Sequence, residues 1–351
     1  MDLDGPREGS PKRATNPRPN TFGGALTLKH FRVFGIAAAL GATLAACSGS
    51  NHNGQQSSST TTTTTTTSAS AAPGAKTIGV SIQDSEAQFY QSMEAGMQAE
   101  AAKDGYKVTF VDANRDSSKQ QSQVEDFISK KVDAIVLTPA DSQAIGSAIA
   151  EANNANIPVF TADIASTSKQ GKVISHIASN NVQGGAQAAM LMCKATSGSG
   201  SVAIIDQPEV TSVQDRVKGF KAALAQNCPN VKIVADVDAG GTRDKANSDM
   251  GDILQRNKDI KGVFGVNDDS ALGAMTAVRA AGLSGIAIVG YDAQTEARTA
   301  IKNGTMYGDV LQHPDQIGKL TIDAIQSYFA GKKVPARVDV PVGTYTKANA
   351  K

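Results

Sequence analysis

From Lys76 onward the chain alternates short β-branched runs with amphipathic stretches, and that alternation limits its fold more than any other feature. The candidate strands are Thr77–Ile82, Lys107–Asp112, Ala134–Thr138, Val159–Ala162, Val173–Ile177, Ser201–Ile205, Lys232–Val237, Gly262–Val266, Ile286–Gly290 and Tyr307–Leu311. Between them lie segments with helical spacing, such as 89–103, 120–130, 143–153 and 271–281. Asp141 before Ser142-Gln143 and Asp268 before Asp269-Ser270 read as helix caps. Strands that are apolar along most of their length are buried on both faces, and a helix after each makes the sheets parallel. Ten strands exceed what one small sheet needs. The expected fold is therefore α/β, with two doubly wound parallel-sheet lobes.

In doubly wound sheets a ligand lies outside the carboxyl ends of the strands. Those ends carry Thr138, Asp163, Asn267-Asp268, Asp292 and Gln312. Phe89 and Tyr90 open the first helix, and Arg216 opens the helix after 201–205. Taken singly, an Asp or Asn after a strand is an ordinary cap or turn former. As a ring, carboxylates that only accept, an arginine that only donates and amides that do both suit a polyhydroxylated ligand. With no Trp in the chain, Phe89 and Tyr90 are the candidate platforms for the C–H faces of a sugar.

Other classes find little support. The sequence has no phosphate loop, no Gly-x-Ser-x-Gly elbow and no Gly-x-Gly-x-x-Gly after the first strand, so no enzyme and no cofactor is expected. Gly184-Gly185 and Gly240-Gly241 are too short to cradle a pyrophosphate. The formal charge is +1 for the whole chain, and removing residues 1–47 takes away six basic and three acidic side chains. The remainder is slightly acidic, which argues against a nucleic-acid partner. His30, His52, His176 and His313 are scattered, so no metal is expected. Cys193 and Cys228 form an even pair suited to a disulfide in an oxidising compartment; the alternative is two buried thiols.

Residues 1–28 are polar and Pro-rich and receive no function. Lys29, His30 and Arg32 then precede an uncharged run from Val33 to Ala46 that ends Leu44-Ala45-Ala46-Cys47. A basic flank, a short apolar core and small residues make a secretory signal. The order resembles the lipobox of bacterial lipoproteins, which implies lipidation of Cys47 and anchoring on the outer face of a membrane. Residues 48–74 are rich in Ser and Thr, with an unbroken Thr60–Thr67 run. They lack the apolar residues for a core and are expected to form a disordered tether of roughly 28 Å r.m.s. reach.

The folded part resembles the periplasmic binding proteins of pentose and hexose importers. The resemblance is carried by Ala155-Asn156-Ile157-Pro158-Val159, Ser175-His176-Ile177-Ala178-Ser179-Asn180, Asn267-Asp268 leading to Ala271-Leu272-Gly273, and Pro314-Asp315-Gln316-Ile317-Gly318. It implies an N-lobe of residues 75–179 plus 313–341, a C-lobe of 180–312 plus 342–351, and a three-stranded hinge. It assigns ligand contacts to Phe89, Tyr90, Asp163, Arg216, Asn267, Asp292 and Gln312. Four positions depart from the family pattern: Ile164 replaces an arginine, Thr138 and Ala87 replace asparagines, and Gly241 replaces an aromatic, which would open room. Fewer donors beside Asp163 favour a flexible ligand without a ring oxygen, so the expected ligand is a four- or five-carbon polyol, with a pentose as the alternative. The implied partners are an ABC permease and its ATPase, with the receptor acting as a monomer. A chemosensory receptor and the effector domain of a transcriptional regulator are the rival readings; the second requires an N-terminal DNA-binding helix pair where this chain carries a signal and a Thr tract.

Overall fold

All ten expected strands form, and two more join them. The computed structural model describes residues 75–350. The signal region with Cys47 and the tether to residue 74 lie outside the described residues.

In chain order the elements of the first half are β1 (Thr77–Ile82), α1 (Gln88–Lys103), β2 (Lys107–Asp112), α2 (Ser117–Ser129), β3 (Ala134–Leu137), α3 (Gly146–Asn154), β4 (Val159–Ala162) and β5 (Val173–Ser179). There follow α4 (Asn181–Ala195), β6 (Ser199–Asp206), α5 (Thr211–Asn227), β7 (Asn230–Asp238), α6 (Arg243–Arg256), β8 (Ile260–Gly265), α7 (Asp268–Ala280), β9 (Ala287–Asp292), α8 (Thr295–Asn303) and β10 (Gly308–Leu311). The chain ends with α9 (Pro314–Phe329), β11 (Arg337–Val340) and β12 (Gly343–Thr346).

Two six-stranded sheets result, ordered β11-β5-β4-β3-β1-β2 and β12-β10-β9-β8-β6-β7. All neighbours are parallel except β10 and β12. The two orders are the same pattern, so the lobes repeat one topology. In both, the strand order reverses beside the first strand of the lobe, which opens a crevice at the carboxyl ends. The chain passes between sheets three times: from β5 into α4 at Asn180, from β10 into α9 at Gln312-His313, and from β11 into β12 at Pro341-Val342.

The central strands explain the helix layers. β3 and β4 are buried along their whole length, so each sheet must be covered on both faces. In the first lobe Ile78, Val80, Ile82 and Val136 pack with Met93 and Met97 of α1 and Ile322 of α9. On the other face Ile135 and Leu137 meet Val124 and Phe127 of α2 and Ile149 of α3. The second lobe does the same with α4 and α5 on one face and α6, α7 and α8 on the other.

Two glycines set the position of a future site residue. A Cβ on Gly184 would collide with the Tyr291 hydroxyl, and one on Gly185 with the backbone carbonyl of Arg216. This pair therefore serves close helix packing, bringing α5 and Arg216 against α4.

Some helix starts differ from expectation. Asp141 accepts from the amides of Gln143 and Ala144, but it caps a turn, and α3 begins only at Gly146. α7 is capped one residue earlier than expected, by the Asn267 side chain on Ser270. α2 starts at Ser117 because Asp116 caps it through the Ser118 and Lys119 amides.

Candidate ligand-binding cleft

The carboxyl ends of the two sheets face one another across a cavity of about 410 Å³. Of the residues expected to contact ligand, Phe89, Tyr90, Asp163, Ile164, Arg216, Asn267 and Asp292 line it. Thr138 and Gln312 do not. Thr138 is fully buried behind the wall, where its hydroxyl accepts from the Gln83 amide at 2.6 Å. Gln312 also sits one layer back and donates from Nε2 to Asp292 Oδ1 at 2.6 Å. Each thus shapes a lining residue from behind.

On the first lobe, Phe89 and Tyr90 meet edge to face with centroids 5.2 Å apart. The Tyr90 hydroxyl lies 2.9 Å from Gln83 Oε1 and 3.2 Å from Asp163 Oδ2. Asp163 follows β4 directly with a φ of +62°, a left-handed conformation that Asp tolerates. The residue is 3 % exposed, and burial pushes its pKa up while Arg216 pulls it down. Ile164 turns toward the second lobe and packs in the cluster that holds Val210 and Val213 of that lobe. Ile164 is thus an apolar contact between the lobes that also lines the cavity.

On the second lobe Arg216 is held from three sides. Nε donates to Asn181 Oδ1 at 2.9 Å, Nη1 donates to the Val266 carbonyl at 2.8 Å, and the guanidinium lies 3.9 Å from the Tyr291 ring centroid. Burial opposes its charge, but Tyr291, Asp292 and Asp163 outweigh that and keep it protonated. Asp292 carries a φ of +123°, where a non-glycine residue is strained by about 1–3 kcal/mol. Gln312 and the Asp268 amide hold its carboxylate. Burial raises the pKa of Asp292 well above the usual range. Asn267 spends its Oδ1 on the α7 cap and its Nδ2 on the Gly241 carbonyl.

Asp268 and Asp309 are a second pair of buried, interacting carboxyls close to Asp292. Burial raises both; the charge of Asp309 adds to the rise at Asp268, and that of Asp292 to the rise at Asp309, which reaches about 7. Sequence reading missed Asp309 because it lies inside β10, with no strand-end signal.

It also missed the residues that join the lobes. Arg115, just after β2, pairs with Asp84 at 2.9 Å and donates from Nη1 to the Gly240 carbonyl of the other lobe at 2.7 Å. The Thr295 amide donates to Gln88 Oε1 at 2.9 Å, and the Thr211 amide to Ser142 Oγ at 3.0 Å. The lobes are closed on each other. The room expected at Gly241 is filled: a Cβ there would strike Gln207 Oε1 and approach Arg115 Nη1. Gly241 also sits at φ +65°, which favours glycine independently of any ligand.

Chemically the cavity offers acceptors, one buried guanidinium, amides and an aromatic pair. It has the composition of a binding site for a polar, uncharged small molecule. Cys193, near the end of α4, and Cys228, which follows α5, are joined in a disulfide with Cα atoms 6.0 Å apart, and neither lines the cavity.

A family profile described as "Periplasmic binding protein domain" matches residues 78–333. The ribose import binding protein of Bacillus subtilis is 36% identical over 272 residues, spanning 77% of this chain and 87% of that protein. The xylitol-binding protein of Mycolicibacterium smegmatis is 32% identical over 240 residues, 68% of each. A crystal structure of an ABC transporter solute-binding protein from Mycobacterium smegmatis with bound glycerol superposes with a TM-score of 0.73, at 31% identity, over 79% of this chain and 96% of that one. These relatives are binding proteins, and their family works outside the cytoplasm. The chain belongs to the periplasmic binding protein family, among the sugar- and polyol-binding components of ABC importers.

Proposed function

We propose that this protein is a lipid-anchored solute receptor that captures a short polyol of four or five carbons, with a pentose as the alternative ligand. The observation that carries this reading is the make-up of the closed cleft. Asp163, Arg216 and Asp292 are buried and converge on one small cavity, and the neighbour of Asp163 is the apolar Ile164. Unmatched buried polar groups are expensive, so a ligand must meet each carboxylate with a hydroxyl and Arg216 with an acceptor. An open chain can rotate each hydroxyl toward its partner; a pyranose presents its ring oxygen and hydroxyls in fixed directions. The xylitol- and glycerol-binding relatives support the same class.

In this reading the N-lobe comprises residues 75–179 plus 313–341 and the C-lobe 180–312 plus 342–351. Phe89 and Tyr90 cover the apolar face of the ligand. Asp163 accepts from hydroxyls on the N-lobe side, while Arg216, Asn267 and Asp292 bind from the C-lobe. Ligand contacts to both lobes favour the closed form, which docks on a permease. No covalent step occurs. Cys47 carries the lipid, and the stretch after it lets the domain stand off the membrane.

Titration calorimetry with erythritol, xylitol, ribitol, D-ribose and D-glucose tests the reading. Tight binding of a tetritol or pentitol is expected, with weaker binding of ribose. Preference for the hexose overturns the size argument while leaving a sugar receptor. Labelling cells with a lipid precursor tests the anchor, with label expected on wild type and lost in Cys47→Ala.

A further inference from the structure

Gln83 is 2 % exposed and follows β1 directly. Its backbone is fixed on both sides: the amide donates to Thr138 Oγ1 at 2.6 Å, and the carbonyl accepts from the Arg115 amide at 2.7 Å. The side chain is therefore committed to the cavity, which it lines. Oε1 takes the Tyr90 hydroxyl at 2.9 Å, but Nε2 has no hydrogen-bond partner. Asp163 has the complementary gap. Its Oδ2 lies 3.2 Å from the same Tyr90 hydroxyl, and its Oδ1 is buried without a partner.

An unused buried donor and an unused buried acceptor thus hang from one phenol, beside the apolar Ile164. Each such atom left alone costs about 1–3 kcal/mol. Few groups satisfy both. A ring oxygen or carbonyl can only accept, and so meets Gln83 but not Asp163. An ammonium can only donate, and so leaves Gln83 unmet. A carboxylate is repelled by Asp163. A hydroxyl accepts from one and donates to the other.

We propose that Gln83 is a specificity-determining contact: its Nε2 donates to a single ligand hydroxyl, which donates in turn to Asp163 Oδ1, and Tyr90 is the positioning residue that sets the pair. This rests on the polyol reading above and refines it. It names the chemistry at the N-lobe end of the ligand as one free hydroxyl and excludes a ring oxygen there.

The test uses xylitol, its monodeoxy analogues and D-ribose on wild type, Gln83→Leu, Tyr90→Phe and the double variant. Thermal denaturation without ligand checks that each is folded. Gln83→Leu is expected to weaken xylitol about three- to tenfold. That loss should vanish for the one deoxy analogue lacking the contacted hydroxyl, because the donor then has nothing to meet. A structural role would instead lower all analogues alike and overturn the proposal. Gln83→Glu, which keeps the shape but loses the donor, should weaken xylitol at least as much. In the double variant Tyr90→Phe still frees Asp163 but no longer Gln83, so the combined loss should be smaller than the product of the two single losses; a fully multiplicative loss would overturn the positioning of Gln83 by Tyr90. Folded Gln83→Leu with unchanged xylitol affinity overturns the assignment of Gln83 alone. Wild type that binds none of the probes overturns the polyol reading, and this inference with it.

Discussion

Asp163 follows its strand in a left-handed turn, is almost wholly buried, and leaves one carboxylate oxygen unpartnered. Nothing in the folding of β4 requires a charge there, so Asp163→Asn should keep the fold and weaken polyol binding. A hydrogen bond to a charged group contributes about 1.5–3 kcal/mol, so the expected loss in calorimetry is tenfold or more. Unchanged affinity would make Asp163 a turn former only. Arg216 is a poorer probe, because its guanidinium also holds Asn181 and the Val266 carbonyl. Arg216→Ala should cost stability as well as affinity. The Asp268–Asp309 pair gives a pH prediction. The carboxyl of Asp309 titrates near 3.8 when unfolded and at about 7 in the fold, because burial disfavours its charge. Between those values the native state binds more protons than the unfolded chain, so stability falls as pH rises from about 4 to about 7. The cost reaches at most about 4 kcal/mol. In Asp309→Asn that fall should be absent, so the melting temperature of the variant gains on wild type between pH 5 and pH 7.5. A constant difference across that range would show that Asp309 carries no shifted proton.

At the scale of elements, α4 and α5 pack through Gly185 and are tied at their C-terminal ends by Cys193 and Cys228, 35 residues apart. Cross-linking a loop of that length restricts the unfolded chain, so replacing both cysteines by alanine should lower stability by about 2–4 kcal/mol in urea denaturation. Ligand affinity should stay the same, since neither cysteine lines the cavity. Eight of the ten expected strands lie inside a sheet and are largely buried, which leaves β-branched runs, while the edge strands β2 and β7 carry an alternation of more and less exposed residues. β11 and β12 left no such trace: Arg337–Val340 and Gly343–Thr346 are four residues long and lie at sheet edges. Their strand character comes from the neighbour each pairs with after the chain crosses between lobes. The cleft divides in the same way. Asp163, Asn267 and Asp292 could be read because they follow apolar strands, where any doubly wound sheet binds. Gln83 follows β1 by the same rule, but a glutamine between Ile82 and Asp84 looks like ordinary loop. Arg115 and Asp309 had no local signal, since one acts through carbonyls 125 residues away and the other through a carboxyl from another strand end.

For the whole molecule the decisive quantity is the free-energy gap between open and closed lobes, because a receptor that closes too easily without ligand cannot discriminate. Arg115, which also lines the cavity, links the two lobes directly. Asp84 orients its guanidinium from within its own lobe, and Nη1 and Nη2 reach the carbonyls of Gly240 and Gly241 on the other. The glycines are part of the device. A side chain at Gly241 would collide with Gln207 and Arg115, and the clasp would lose its seat. Arg115→Ala removes the contacts to Gly240 and Gly241, which exist only when the lobes meet, and a part-exposed pair with Asp84 that adds little to the stability of the open form. The variant should show little change in melting temperature without ligand and a faster release of bound polyol, since interface losses appear mainly in the dissociation rate. The Arg115 side chain is 20% exposed, which places the loss near the low end for charged hydrogen bonds, about three- to tenfold in affinity. Arg256→Ala, which breaks only an exposed pair with Asp252 inside α6, is the control and should leave the kinetics alone. Stopped-flow release together with small-angle scattering of the liganded protein decides the matter. Equal release rates and equal compactness in Arg115→Ala and wild type would mean that the ligand alone holds the lobes shut. Faster release with a more open liganded form would place part of the receptor's affinity in contacts between the lobes themselves.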